Sequence, residues 1–560
     1  MTRRHVVVTG AGPAGLAAAY AALAAGARVT LIDSAEQPGG QYHRMPPEAH
    51  AEHPGTLRRG RAAFLRRRHR VLTHPRCSWL PETSVWALER TGPGDGAPAA
   101  RTPAAGGFGP PPRVHLLCGG PADGSGRTRR TLDADALVLA TGAHDRVLPF
   151  PGWELPGVCT AGAAQALVKG ERLVVGDHVV VAGSGPFLLA VAASLLEAGA
   201  GVREVLEAGT FPTLGRNWLD RTWELAAQLG KTAELAGSAA ALVRHRVPYR
   251  IGRTVVEARG DGRVEEVVTA RLRPDWSVVA GTERTVPVDA LCVGHGFSPR
   301  LELPLAAGCA LRDAPAGTGG GAGSFVVVDG EQRTSVPGVF AAGEITGIAG
   351  APAARAEGAV AGWAAAGGDR SVPALRALRR SRDQGRAFAR RLARAHPIGA
   401  GWPGWLRQDT VVCRCEETDY GTLCAAFGDP AQAAPRVAKL STRAGLGPCQ
   451  ARVCGPTVAE LRARSGAAGS ADRGTAAEPP EHTPHRRPLA QPLRLGELAA
   501  PPVPFAVPED PPDRDDGSKP PGAADRSASC GPRSPSGPAA ESAPQAPFRT
   551  PRPSDPTDQR

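Results

Sequence analysis

Residues 5–33 read HVVVTGAGPAGLAAAYAALAAGARVTLID, and this stretch decides the fold. His5–Gly10 is an apolar run suited to a buried strand. Ala11–Ala25, rich in Ala and Leu, suits a helix, and ARVTLID suits a second strand. The first strand and the helix are joined by Gly10-Ala11-Gly12-Pro13-Ala14-Gly15. A glycine turn carries meaning in this setting, after a strand and before a helix. Gly10 permits the tight turn, Gly12 lets the backbone approach a pyrophosphate, and Gly15 lets helix and strand pack closely. The helix start at Pro13 and Ala14 turns its positive end toward the phosphates. Asp33, closing the second strand, is placed to accept hydrogen bonds from an adenosine ribose.

Outward from this unit, the pattern returns. Residues 178–207 read HVVVAGSGPFLLAVAASLLEAGAGVREVLE. Gly10, Gly12, Pro13, Ala19, Leu23 and Gly26 match Gly183, Gly185, Pro186, Ala192, Leu196 and Gly199 at a constant offset. Two nucleotide folds in one chain are a more specific signal than either motif alone. Leu188 stands where the third glycine belongs, yet Gly183 and Gly185 keep the phosphate turn possible. Glu207 takes the ribose position, and a carboxylate there favours NAD over NADP. Two readings stay open for this second fold: a site for NAD(P) or another nucleotide, or a fold kept for structure alone.

The third signal is cysteine. Of 11 cysteines, four cluster as Cys413-Arg-Cys415 and Cys449-Gln-Ala-Arg-Val-Cys454. In a reducing compartment such a cluster reads as metal or redox chemistry and not as a disulfide staple. Four thiolates suit zinc or an iron–sulfur cluster. Structural zinc prefers C-x2-C pairs, so the C-x-C spacing favours iron–sulfur. Cys159, Cys292 and Cys309 stand singly and read as small core residues. The segment after Asp33 has no cysteine before Cys77, so disulfide reduction beside a flavin is not expected.

Composition narrows the classes. A chain of 560 residues has room for three or four domains. The net charge of +12 comes nearly all from arginine, as in Arg376–Arg394, without a nucleic-acid module. It reads as a solvated basic surface that faces a partner. No apolar run approaches the roughly 20 residues a membrane span needs. The first strand begins at His5 and leaves no room for a cleavable leader, so a cytoplasmic location is expected. Residues 91–131 read as a low-complexity insertion. From 466 onward the Pro- and Ser-rich sequence is expected to be disordered, with Pro488–Leu498 a candidate to dock.

These motifs, with DSAEQPGGQYHR, LVLATGAHDRVLPFPGWELPGVCTAGAAQ and AAGEITGIAG, resemble the flavoproteins related to pyridine nucleotide–disulfide oxidoreductases. More narrowly, the chain resembles the large subunit of opine oxidases, hydrogen cyanide synthase and proline or hydroxyproline dehydrogenases. The resemblance implies that Gly39 and Gly40 pass the flavin side of FAD, and that Thr141 and Gly142 lie beside the cofactor. It implies that Gly343 and Glu344 hold the ribityl chain and pyrophosphate, with Glu344 where the family usually has Asp. VVCRCEE and TRAGLGPCQARVCGP resemble the bacterioferritin-associated-ferredoxin-like domain, which implies a [2Fe-2S] cluster on Cys413, Cys415, Cys449 and Cys454.

The expected fold class is α/β with two Rossmann-like dinucleotide-binding domains. The FAD-binding domain occupies 1–165 and 285–372, and the inserted nucleotide domain 166–284. A helical connector covers 373–405, a small α-rich [2Fe-2S] domain 406–465, and a tail 466–560. The implied function is an FAD-dependent oxidoreductase. It would be the electron-transfer subunit of an amino-acid, imino-acid or opine dehydrogenase, in a hetero-oligomer with an amino-acid-oxidase-like flavoprotein subunit. A stand-alone NAD(P)H-dependent reductase and a non-catalytic nucleotide-binding scaffold are the alternatives. His295 reads either as a core histidine or as a flavin contact, and no catalytic residue is assigned.

Overall fold

The computed structural model describes residues 3–45, 60–89, 111–120, 126–219, 229–313, 324–432, 434–465 and 489–505. Its unbroken Val, Leu and Ala runs form strands buried on both faces, as parallel sheets require. The first parallel sheet runs in the order Val339–Ala341, Ala136–Leu139, His5–Thr9, Arg28–Ile32, Cys77–Leu80. The second runs Tyr249–Ile251, Gly201–Glu207, His178–Gly183, Ala290–Gly294, Val158–Thr160. Each sheet therefore sets a glycine turn at the carboxyl end of a central strand, where ligands of such sheets bind. The strands Ala143–Asp145 and Phe297–Pro299 pair antiparallel as a two-stranded link where the chain passes between the folds.

Small residues let the helices approach. A Cβ on Gly358 would lie 1.9 Å from the Ala14 carbonyl oxygen, and one on Gly362 would lie 2.0 Å from that of Ala18. Glycines four apart on helix Ala351–Ala365 thus receive alanines four apart on helix Pro13–Ala24. The long helix Pro373–Ala395 follows and packs on the same layer, with Gly385 against Ala353. Beyond it Trp402 and Trp405 anchor the cysteine domain on Trp276, whose ring stacks on Trp405 at 6.0 Å. That domain holds the helices Tyr420–Gly428, Pro435–Thr442 and Gly455–Arg464.

Two expectations are corrected. Within the supposed insertion 91–131, Arg113–Cys118 and Thr128–Leu132 are strands of a four-stranded sheet with Thr83–Glu89 and Val503–Pro504. Leu116, Leu117 and Leu132 are buried in these strands, a pattern masked in the sequence by flanking Gly and Pro. Within the tail expected to be disordered from 466, residues 489–505 dock on this sheet, further than the candidate stretch Pro488–Leu498: Ala490 and Phe505 enter its core, and Glu497 pairs with buried Arg127 at 2.8 Å. Residues 90–110, 121–125, 466–488 and 506–560 lie outside the described residues. Among the described residues no helix is long and apolar enough to cross a membrane.

Candidate functional site

A cavity of about 1340 Å³ lies between the two nucleotide folds. The first turn opens into it. Gly10 has φ +97°, and a Cβ there would meet the Ala140 carbonyl oxygen at 2.3 Å. A Cβ on Gly15 would stand 1.6 Å from the Gly10 carbonyl oxygen, so the helix sits as close to the strand as glycine allows. Gly12 is different: a Cβ there would meet only Gly40, at 3.8 Å. Gly12 and Gly40 therefore pack against each other, and their backbones, bare of side chains, line the cavity where a pyrophosphate would lie. Gly39 and Gly40 both have positive φ, and a Cβ on Gly40 would press to 2.8 Å from the Gly12 Cα.

Asp33 lines the same cavity. Its carboxylate accepts the Ala11 amide at 2.5 Å and the Ala35 amide at 2.9 Å. Burial nonetheless raises its pKa above the usual carboxylate value, against those amides and the charge of Arg300. Hydroxyl donors from a ribose would offset that burial. The Thr9 hydroxyl, also on the cavity wall, is buried without a hydrogen-bond partner among the described residues. Thr141, Gly142, Gly343 and Glu344 complete this side. Glu344 accepts the Gly350 amide at 2.9 Å, which holds the start of helix Ala351–Ala365 against the cavity. The bare backbone at Gly12 and Gly40, the unpartnered hydroxyl and the raised carboxyl fit an FAD.

The second turn shares the cavity through Ser184, Gly185, Pro186 and Phe187. The Ser184 hydroxyl is buried without a partner among the described residues. Leu188, standing for the third glycine, is buried in the domain core. Glu207 repeats the clasp of Asp33, accepting the amides of Gly185 and Gly209, both at 2.8 Å. Yet it is fully buried and does not line the cavity. His396 lies 3.4 Å from its carboxylate, and the Tyr249 hydroxyl 3.5 Å. Burial would raise the Glu207 pKa, but His396 and the two amides together hold it below the usual value.

The four clustered cysteines meet at the edge of the cysteine domain. Cys413 and Cys454 are buried, and Cys415 is exposed. Cys413 neighbours Cys454, and Cys415 neighbours Cys449. The hydrogen bond from Cys454, opposed by burial and helped by the amides of Gly445, Glu416 and Cys415, lowers the Cys413 thiol to about 6. Its sulfur receives the Gly445 amide at 3.5 Å. A Cβ on Gly447 would lie 2.3 Å from that of Cys415, so glycine is required where the two cysteine loops interlock. Gln450 and Ala451 both have positive φ, a strained turn inside the second loop. Among the described residues no three His, Cys, Asp or Glu side chains converge on a single metal ion. The four thiols are the kind of donor set that either zinc or an iron–sulfur cluster takes.

The cysteine loop reaches the cavity. Arg452, between Cys449 and Cys454, pairs with Glu302 at 2.6 Å and donates to the Ala490 carbonyl at 2.6 Å. Arg452, Glu302 and Arg300 all line the cavity on the Asp33 side. His144, also on the wall, contacts the Arg452 carbonyl at 2.7 Å. Arg452 and His144 stand inside quoted motifs but at positions with no ligand role there, and Arg300 and Glu302 stand outside them, so sequence reasoning missed their meeting. His295 proves to be buried, with Nδ1 accepting the Leu148 amide at 3.3 Å and Nε2 without a partner among the described residues. Cys159 is not solitary: it faces Cys292 across paired strands with sulfurs 3.8 Å apart.

Comparison with known proteins agrees with this architecture. The chain is 32% identical over 507 residues to an opine oxidase subunit of Rhizobium meliloti, a match that covers 88% of this chain and 87% of that one. It is 30% identical to hydrogen cyanide synthase subunit HcnB of Pseudomonas aeruginosa, over 80% of this chain and 90% of that one. The solved L-proline dehydrogenase from P. horikoshii shares the fold at a TM-score of 0.57 and 18% identity, covering 89% of this chain and 79% of its own. Residues 4–358 match the family model described as pyridine nucleotide-disulphide oxidoreductase. The chain therefore belongs to the pyridine nucleotide-disulphide oxidoreductase family and is an FAD-dependent oxidoreductase related to opine oxidase and hydrogen cyanide synthase subunits.

Proposed function

We propose that this chain is the electron-transfer subunit of a complex that oxidises a C–N bond in an amino acid, imino acid or opine. The observation that carries the reading is the contact of the four-thiol loop with the nucleotide cavity through Arg452, Glu302 and Arg300. The cavity residues would hold a flavin, which would supply two-electron chemistry, and Cys413, Cys415, Cys449 and Cys454 would hold a [2Fe-2S] cluster, which would supply one-electron chemistry. The chain's own residues bind and orient. Asp33 and Thr9 face the adenosine half, the bare backbones of Gly12 and Gly40 line the side of the cavity meant for the pyrophosphate, and Glu344 fixes the helix start beside it. Arg452 ties the cysteine loop to the cavity wall. Two relatives are subunits of an opine oxidase and of hydrogen cyanide synthase. They support a hetero-oligomer in which an amino-acid-oxidase-like flavoprotein subunit supplies the substrate site.

The test is anaerobic purification followed by visible spectroscopy with flavin, iron and acid-labile sulfide analysis. Flavin with iron and sulfide in equal amounts is the expected result. Cys449→Ser is expected to lose the iron and keep the flavin. Zinc without sulfide, or a colourless chain that releases ATP, would sink the reading.

A further inference from the structure

The two nucleotide folds share a clasp but differ in access. Asp33 stands on the cavity wall, whereas Glu207, with the same pair of amide donors, does not. The difference comes from helix Pro373–Ala395 and the residue after it. His396 lies 3.4 Å from the Glu207 carboxylate and itself lines the cavity, so it stands between Glu207 and the open space. Its other ring nitrogen meets the Trp218 indole N–H at 3.2 Å. Arg391, buried on the same helix, donates to the Trp218 carbonyl at 3.1 Å. This assembly is held at both ends. Gly385 packs on Ala353 upstream, and downstream the Gly401 amide donates to the Asp275 carbonyl at 2.5 Å.

We infer that the second fold is closed to NAD and NADP by its own chain, with His396 standing where an adenosine ribose would meet Glu207. NAD needs that carboxylate for its ribose hydroxyls, and either dinucleotide, to seat its adenosine ribose beside Glu207, must displace a buried residue wedged beside Trp218. The glycine turn at Ser184 and Gly185 stays open, so the fold keeps its phosphate end and loses its adenosine end. The inference stands on this geometry and not on the electron-transfer reading. A second fold that takes no nicotinamide leaves the electrons to be supplied from elsewhere.

Equilibrium dialysis of the flavin-loaded full chain against NADH and NADPH tests this directly. The wild-type chain is expected to show no saturable binding tighter than about 1 mM. His396→Gly is expected to tighten binding by ~10-fold or more, and adding Glu207→Gln to it should remove the gain. Trp218→Ala provides a second opening of the same wedge if the first variant loses its flavin. Saturable wild-type binding that His396→Gly leaves unchanged would overturn the inference. So would flavin-retaining forms of both variants that gain nothing. Either failure leaves the iron and sulfide contents untouched, and so is separable from a failure of the proposed function.

Discussion

At Gly12 a Cβ would make only ordinary contact with Gly40 on the cavity wall, and at Gly15 it would strike the Gly10 carbonyl. Substitutions at these two glycines should therefore fail in different ways. Gly12→Val is expected to leave the fold intact and abolish flavin retention, because the valine methyls would stand on the cavity wall where the pyrophosphate must approach the backbone. Far-ultraviolet circular dichroism with flavin quantification checks it, and stoichiometric flavin in the variant would mean the site lies elsewhere. The glycine turn was readable because each glycine answers a local backbone demand. His396 was not, because nothing in its own neighbourhood in the sequence names Glu207 as its contact. Arg300 and Arg452 escaped for the same reason: they meet only once three separated segments have folded together.

Among the elements, the internal repeat foretold two parallel sheets because hydrophobic period and glycine spacing recur together. The four-stranded sheet was hidden. Two of its strands sit among Gly- and Pro-rich stretches, and its edge strand Val503–Pro504 comes from a region too polar to fold alone. That edge borrows its stability from a sheet already present. Phe505, 7% exposed, donates its amide to the Thr131 carbonyl at 2.8 Å and packs in the shared core. Phe505→Ala is expected to cost about 3 kcal/mol, read as a lowered urea midpoint. An unchanged midpoint would mean that the docked segment contributes nothing to the body's stability.

Across the whole molecule, His295 sits where the second fold meets the cysteine domain. Arg146 beside it pairs with Glu460 at 2.7 Å, and Glu460 accepts the Trp402 indole at 2.9 Å. Burial, then the charge of Arg146, push the His295 imidazole down to about 3. An unfolded histidine titrates near about 6.5. Between those values the unfolded chain holds the extra proton, so stability falls as pH drops through that window. The slope is at most about 1.4 kcal/mol per pH unit, and the curve is flat above the window. His295→Phe should flatten this limb in unfolding curves taken between about pH 7 and pH 5. An identical slope in the variant would shift the acid sensitivity to another group, such as His43, lowered to about 4 chiefly by burial. The net charge of +12 was legible as a number, but which surface meets a partner was not, because charge alone does not choose a face.

The strand that closes the four-stranded sheet is drawn from residues 503–504, while the sheet's other members lie between residues 83 and 132. A ribosome releases the chain from its amino end, and domains generally mature in that order. Here the early domain must wait, with one edge of its sheet unpaired, until a segment far downstream in the chain has emerged. An open strand edge is a template for wrong pairing with another nascent chain. The late-arriving segment therefore acts as a final latch in biosynthesis, and its absence would be felt first as poor yield and aggregation during synthesis.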